Sequence, residues 1–206
     1  STRRRQRQMC IRDRYRFDHH GDAVLVQSAN GYEAITISPS ESPFYNDGDL
    51  KITAFLVEHE PVSPSLGFRF DYKGRSIVFS GDTIYSENLL KYAKDADVLF
   101  MEALSMDIIS RLQKAQESIG NERNAKIMFD IQDYHISPKD GARLAKKANV
   151  KHLVFYHLAP APIISLMAEV FTRGVDEIFS DFTLADDGTH VVLPKNSKEI
   201  KISSIN

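Results

Sequence analysis

Cysteine, tryptophan and long apolar runs are what this 206-residue sequence has least of. It holds one Cys and no Trp. A single cysteine excludes an internal disulfide framework, a multi-cysteine zinc ribbon and an iron–sulfur site. No apolar run approaches the roughly 18 residues of a membrane span, so none is expected. The opening Ser1-Thr-Arg-Arg-Arg is basic but lacks the apolar stretch of a signal peptide. An excess of one charge is also missing. Twenty-six Lys+Arg against 28 Asp+Glu give a formal −2, which argues against a protein that coats nucleic acid. Repeats and low-complexity tracts are absent, so one domain is the default, and 42% hydrophobic content supplies a core for it.

The near-neutral total hides an asymmetry. Residues 4–14 read Arg-Arg-Gln-Arg-Gln-Met-Cys-Ile-Arg-Asp-Arg. A common transposase-type sequencing adapter translates to the same run, position by position. Residues 1–14 are therefore expected to be adapter-derived and unstructured, and they do not enter the fold reasoning. The rival reading is a natural basic arm for phosphate or membrane. Residues 1–14 hold six Arg and one Asp, so the other 192 residues carry 20 basic and 27 acidic groups, or −7. On this reading the domain occupies residues 15–206 and is incomplete at its N-terminus.

Two strand-like runs lie between Ala23 and Ser38, and a loop from Ser38 to Asp49 is broken by Pro39, Pro43, Asn46 and Gly48. Leu50–Val57 reads as a strand ending at His59. Gly67–Tyr72 and Arg75–Phe79 read as a hairpin across Lys73-Gly74. Asn88–Lys94 is expected to be a short helix and Asp97–Met101 a strand ending at Glu102. Leu104–Ile119 has helical spacing, with Leu104, Ile108, Leu112, Ala115 and Ile119 on one face. Ser137-Pro138-Lys139-Asp140 opens a helix: Ser137 is the N-cap, Pro138 sits at N1, and Asp140 favours the positive end. Lys151–Tyr156 is a strand ending at His157, followed by a helix over Ile163–Arg173. Phe182–Ala185 and His190–Leu193 are expected to pair across Asp187-Gly188 as a closing hairpin. The alternation predicts an α/β fold.

Several apolar strands deliver a polar residue at their C-terminal ends. Ile77-Val-Phe precedes Asp82, Val98-Leu-Phe-Met precedes Glu102, and Leu153-Val-Phe-Tyr precedes His157. Leu50–Val57 delivers His59 in the same way. Ligands of α/β proteins gather beyond those strand ends, so these residues are candidates to converge. Two imidazoles and a carboxylate form a donor set that suits Zn²⁺ and tolerates Mn²⁺ or Fe. The plainer readings stand beside this one: Ser80-Gly-Asp-Thr as turn chemistry, and His157 as a strand-end residue bonded to backbone. Glu102 reads as a supporting acceptor rather than a metal ligand.

The series His59, Gly67-Phe-Arg-Phe, Ile77-Val-Phe-Ser-Gly-Asp-Thr, Glu102-Ala, His135 and Leu153-Val-Phe-Tyr-His157 resembles the metallo-β-lactamase-fold hydrolases. The branch of ribonuclease Z and its arylsulfatase-like relatives is the most similar. The resemblance spans Leu50 to Pro160 and implies the αββα sandwich, of which this sequence would hold the C-terminal two-thirds without the N-terminal part of the first sheet. It implies that His59 is a ligand of a first zinc, that Asp82 bridges two zincs, and that His157 binds the second. It also makes His135 a catalytic residue that stabilises the transition state; the plainer reading is a helix-entry residue bonded to backbone. Two zincs about 3.5–4 Å apart lower the pKa of a bridging water toward ~7 and polarise the ester under attack. Histidine ligands must be neutral, so activity is expected to fall at acid pH.

The sequence departs from the family in two ways. The principal motif, His-x-His-x-Asp-His, is absent, and His19-His20-Gly21-Asp22 has the wrong spacing to replace it. Each zinc then keeps only part of its ligand set, so the 206-residue chain is expected to be inactive, to hold metal weakly and to expose apolar sheet surface. Activity is expected of the parent protein. Asp82 lies only 23 positions after His59, too near for the tRNA-gripping arm that ribonuclease Z places there. With a body at −7, tRNA is a less favoured substrate. The expected substrate is an ester: RNA or a small phosphodiester, a sulfate ester, or a lactone. A non-catalytic binding or scaffold module is the alternative; the retention of His59, Asp82, His135 and His157 argues against it. The mixed-charge segment Ser105–Asp133 offers a lid or a homodimer contact, or more plainly a solvated helix pair. Localisation stays open, with the cytoplasm favoured.

Overall fold

Apolar strand segments alternate with amphipathic helices from Leu50 onward, and the computed structural model assembles them into a mixed sheet flanked by helices. The structure describes residues 43–205, with Ile37 and Pro39 before them. Residues 1–14, His19, His20 and all but Ile37 of the two strand-like runs before Ser38 lie outside the described residues. Seven strands lie side by side in chain order: β1 (Tyr45–Asn46), β2 (Leu50–Val57), β3 (Ser65–Tyr72), β4 (Arg75–Phe79), β5 (Val98–Leu104), β6 (His152–Ala159) and β7 (Phe182–Leu184). The first four are antiparallel and the last four parallel.

Connection length explains the change of direction. β3 and β4 are joined by Lys73-Gly74, both at positive φ (48° and 77°), the twist that suits a two-residue hairpin. Parallel neighbours need crossovers, and helices supply them. These are α1 (Glu87–Ala93) before β5, α2 (Met106–Ser118), α3 (Glu122–Asp130) and α4 (Pro138–Lys147) before β6, and α5 (Ser165–Phe171) before β7. Ser137 caps α4 as its sequence predicts, its Oγ accepting from the Asp140 N–H at 3.1 Å with Pro138 in the first turn.

Phe55, Val78, Leu99, Met101, Leu153 and Phe155 form the buried face of the sheet. Leu89 and Ala93 of α1, with Ala142, Leu144 and Ala145 of α4, close over it. Phe55 stacks on Tyr92 at 4.4 Å. Helix α4 comes so near that a Cβ at Gly141 would stand 3.2 Å from both Met101 Cγ and Phe155 Cε1. On the opposite face Phe79 stacks on Phe100 at 4.5 Å, and Tyr156 meets both edge-on; all three are half-buried.

Three expectations are corrected. The closing hairpin does not form. The turn at Asp187-Gly188 exists, with Thr189 N–H donating to Asp186 O and Gly188 at φ 88°, but it separates two sheets. Phe182–Leu184 runs parallel to β6, whereas β8 (Thr189–Val192) pairs with β9 (Lys201–Ser204). The helix expected from Leu104 begins at Met106, because Leu104 completes β5. Its buried residue is Ile109, while Leu112 and Ile119 are exposed. Within the expected loop before Asp49, Tyr45–Asn46 adds a short edge strand to β2.

Candidate active site

The polar strand-end residues converge at the C-terminal ends of β4, β5 and β6. Asp82 is positioned by backbone. Ser80 N–H donates to Phe100 O at 2.9 Å, and Ser80 Oγ accepts from the Glu102 N–H at 3.0 Å, pinning the loop to β5. Gly81 adopts φ 63°, and a Cβ there would stand 2.3 Å from Leu66 O, so only glycine lets the loop pass. Ser65 Oγ then donates to Asp82 O at 2.8 Å.

His157 is turned toward Asp82 by a bulge. Glu102 pairs with Tyr156 and Ala103 with Leu158, which leaves His157 as the extra residue of β6. Its φ is 45°, a conformation that costs energy outside glycine and clusters at functional sites. His157 Nδ1 lies 2.8 Å from Asp82 Oδ1, and both side chains remain partly open to solvent.

His59, just beyond β2, places Nδ1 2.7 Å from Tyr134 O. A carbonyl only accepts, so Nδ1 carries a proton, and in the neutral ring the lone pair is on Nε2. The His59 ring lies 5.0 Å from that of His135, and His135 lies 6.2 Å from His157. All four residues singled out in the sequence therefore occupy one neighbourhood.

Glu102 organises it. This carboxylate is fully buried, and one oxygen, Oε1, accepts from Thr83 N at 3.1 Å and Ile136 N at 3.2 Å, with His135 Nδ1 at 3.0 Å. Its other oxygen is buried with no hydrogen-bond partner among the described residues. Burial opposes a charge on His135, but the hydrogen bond and charge of Glu102, with Asp82 behind it, raise its pKa above the usual 6.5. His135 is thus held by a carboxylate, not by the backbone contact of the plainer reading. Glu102 was legible as an acid ending an apolar strand. Tyr134 and Ser65, which act through a carbonyl and a hydroxyl, carried no signal in the sequence.

A cavity of about 540 Å³ opens beside His157. Tyr156, Leu158, Pro162 and Leu184 line it together with Asp186 and Asp187, and among the described residues no lysine or arginine does. The donor chemistry of His59, Asp82 and His157 suits a borderline metal such as zinc. Among the described residues, however, no group of three or more His, Cys, Asp or Glu is gathered around one point as a metal would require. No described helix is long and apolar enough to cross a membrane.

Comparison with known proteins gives the family. A family model described as "Beta-lactamase superfamily domain" matches residues 7–158, well over half of the chain and starting inside the segment assigned to the adapter. The chain belongs to that superfamily. Ribonuclease Z of Mycobacterium avium is 28% identical over 84% of this chain and 56% of its own length. Ribonuclease Z of Mycobacterium bovis is 29% identical over 71% of this chain and 47% of its own. The chain thus spans about half the length of the curated relatives it matches. Among solved structures, the metallo-β-lactamase fold protein YhfI of Bacillus subtilis is 19% identical, with a TM-score of 0.52 over 78% of this chain and 58% of that one; this similarity is one of fold.

Proposed function

We propose that these residues form the metal- and substrate-holding part of a zinc-dependent hydrolase, ribonuclease Z-like, that cleaves a phosphodiester or related ester. The observation that carries the proposal is the buried Glu102–His135 pair set between His59 and the Asp82–His157 pair. His59, Asp82 and His157 would hold the metal. The protonated Nδ1 of His59 leaves Nε2 as its donor, the tautomer a ligand histidine needs. When bound, zinc supplies Lewis acidity and a nucleophile drawn from water at neutral pH.

The chain's own residues do the rest. Glu102 fixes the ring of His135 and stabilises its proton, so the other ring nitrogen can face the oxygen on which charge develops. The cavity beside His157 receives part of the substrate. Its apolar and acidic lining suits a compact, uncharged group better than a polyanion. The 206-residue sequence contains no His-x-His-x-Asp-His, so turnover is a property of a protein that carries that motif together with these residues.

The test is a panel of bis-p-nitrophenyl phosphate, an aryl sulfate, a lactone and precursor tRNA, given to a protein joining residues 15–206 to a motif-bearing segment. Zinc-dependent cleavage of a phosphodiester that falls about 10²–10⁴-fold in His135→Ala is expected. Cleavage that is indifferent to zinc or to His135 would refute the proposal.

A further inference from the structure

The uncapped N-terminus of one helix and two cations with no ion pair among the described residues face one cleft that the candidate active site does not use. It lies beyond the end of β5, has a volume of about 250 Å³, and is lined by Ser105, Asp107, Lys139 and Arg173 among others. Ser105 precedes α2 and Pro138 opens α4. The first N–H groups of a helix have no intrahelical acceptor and carry the positive end of its dipole, so the uncapped start of α2 favours an anion here, whereas the start of α4 is already capped by Ser137 and carries Asp140.

Ser105 itself points to a ligand. It is 4% exposed, yet its hydroxyl does not cap α2 and has no hydrogen-bond partner among the described residues. By contrast, Ser86, Asn121 and Ser137 each accept a backbone N–H of their own helix. Lys139 and Arg173 form no ion pair among the described residues. Asp107 is the one carboxylate in the lining among the described residues, with Glu177 behind it near the Lys139 ammonium; Asp107 and Glu177 are exposed, so their repulsion is screened by water.

The cleft continues into a second of about 340 Å³ that shares Asp107, Val170 and Arg173. Ile108, Leu166 and Met167 line this extension, with Arg111 at its side. A head site for an oxyanion thus runs into an apolar groove.

We infer that this cleft binds a small phosphate monoester, its phosphate held by the Ser105 hydroxyl, the α2 N-terminus, Lys139 and Arg173, and its organic part lying along Ile108, Leu166 and Met167. The site is separate from the residues proposed to hold the metal, and the inference does not depend on that proposal.

The test is titration of the ¹⁵N-labelled 206-residue chain, without metal, with phenyl phosphate, inorganic phosphate and phenol. Saturable shifts at Ser105, Met106, Lys139 and Arg173 are expected with phenyl phosphate, at an affinity about tenfold above that for inorganic phosphate; phenol alone should bind weakly. Arg173→Gln, at an exposed position that does not endanger folding, should weaken phenyl phosphate about 5–10-fold, and Ser105→Ala by a similar factor. Shifts confined to His59, His135 and His157, shifts spread over surface lysines without saturation, or an affinity unchanged in Arg173→Gln would each overturn the inference.

Discussion

Asp97→Ala should cost about 3–5 kcal/mol of folding stability, the range for breaking a buried ion pair from one side. Asp97 stands at the start of β5, at the end of the sheet remote from the candidate site. Its side chain is 3% exposed, and Arg75, its partner at 3.1 Å, is 9% exposed. Asp97 also accepts from Ser76 N–H at 2.8 Å and from Lys151 Nζ at 2.6 Å. The Arg75 guanidinium reaches the carbonyls of Pro194 and Glu199 and contacts that of Ser197, so it ties the segment between β8 and β9 to β4. Removing the carboxylate leaves a buried guanidinium with carbonyls as its only acceptors among these contacts and orphans the Ser76 N–H. Lys151, half exposed, should matter far less: Lys151→Ala is expected to cost about 0–1 kcal/mol. Burial works against the charge of Asp97, but Lys151, Ser76 and Arg75 hold its pKa below the usual 3.8. The folded pKa is depressed, so the stabilisation is complete above pH 3.8 and is lost as pH falls through the folded value. Urea denaturation followed by circular dichroism measures both effects. A loss below about 1 kcal/mol at neutral pH for Asp97→Ala, or equal losses for Asp97→Ala and Lys151→Ala, would refute this reasoning.

Three further outcomes follow from contacts already described. Glu102→Gln removes the charge that opposes desolvation of His135, so its pKa should drop below 6.5 in an NMR titration; an unchanged value would mean that Glu102 does not hold it. The raised pKa of His135 contributes stability below pH 6.5 that fades as pH rises through the folded value, and Glu102→Gln should abolish this dependence. Gly81→Ala must hold a left-handed conformation costing about 1–2 kcal/mol and also meet Leu66 O, so its thermal midpoint should fall further than that of Gly48→Ala, which has a positive φ of 93° too but meets no atom within 4 Å. Phe55→Ala empties the space under Tyr92 and should lose about 3–5 kcal/mol in urea denaturation.

The parts legible in the sequence were those set by local chemistry. Arg75–Phe79 and its Lys73-Gly74 turn, the Ser137-Pro138 opening of α4, and the polar ends of three apolar strands all depend on residues within a few positions of one another. What escaped was non-local. The turn at Asp187-Gly188 is real, but which strands pair around it is decided by β6 and by Lys201–Ser204, far along the chain. The bulge that turns His157 appears only when β6 is set against β5. The stripe assigned to α2 counted Leu104, which tertiary pairing keeps in a strand, and so it misjudged which face is buried. Convergence of His59, Asp82 and His157 was an inference from strand ends, and the place of His135 came from the family resemblance; the structure brings the four together. The metal itself remains a proposal about their donor atoms.

The most direct test of that proposal is a zinc titration of the metal-free 206-residue chain, observed through the ¹⁵N resonances of its histidine rings. The Nε2 signals of His59 and His157 are predicted to move first and together, and Asp82→Ala to weaken both responses. His152, bonded to Thr183 Oγ1, and the exposed His190 should stay in place. If zinc instead moves His152 or His190 first, or if Asp82→Ala changes nothing, these residues are not the metal ligands of this protein.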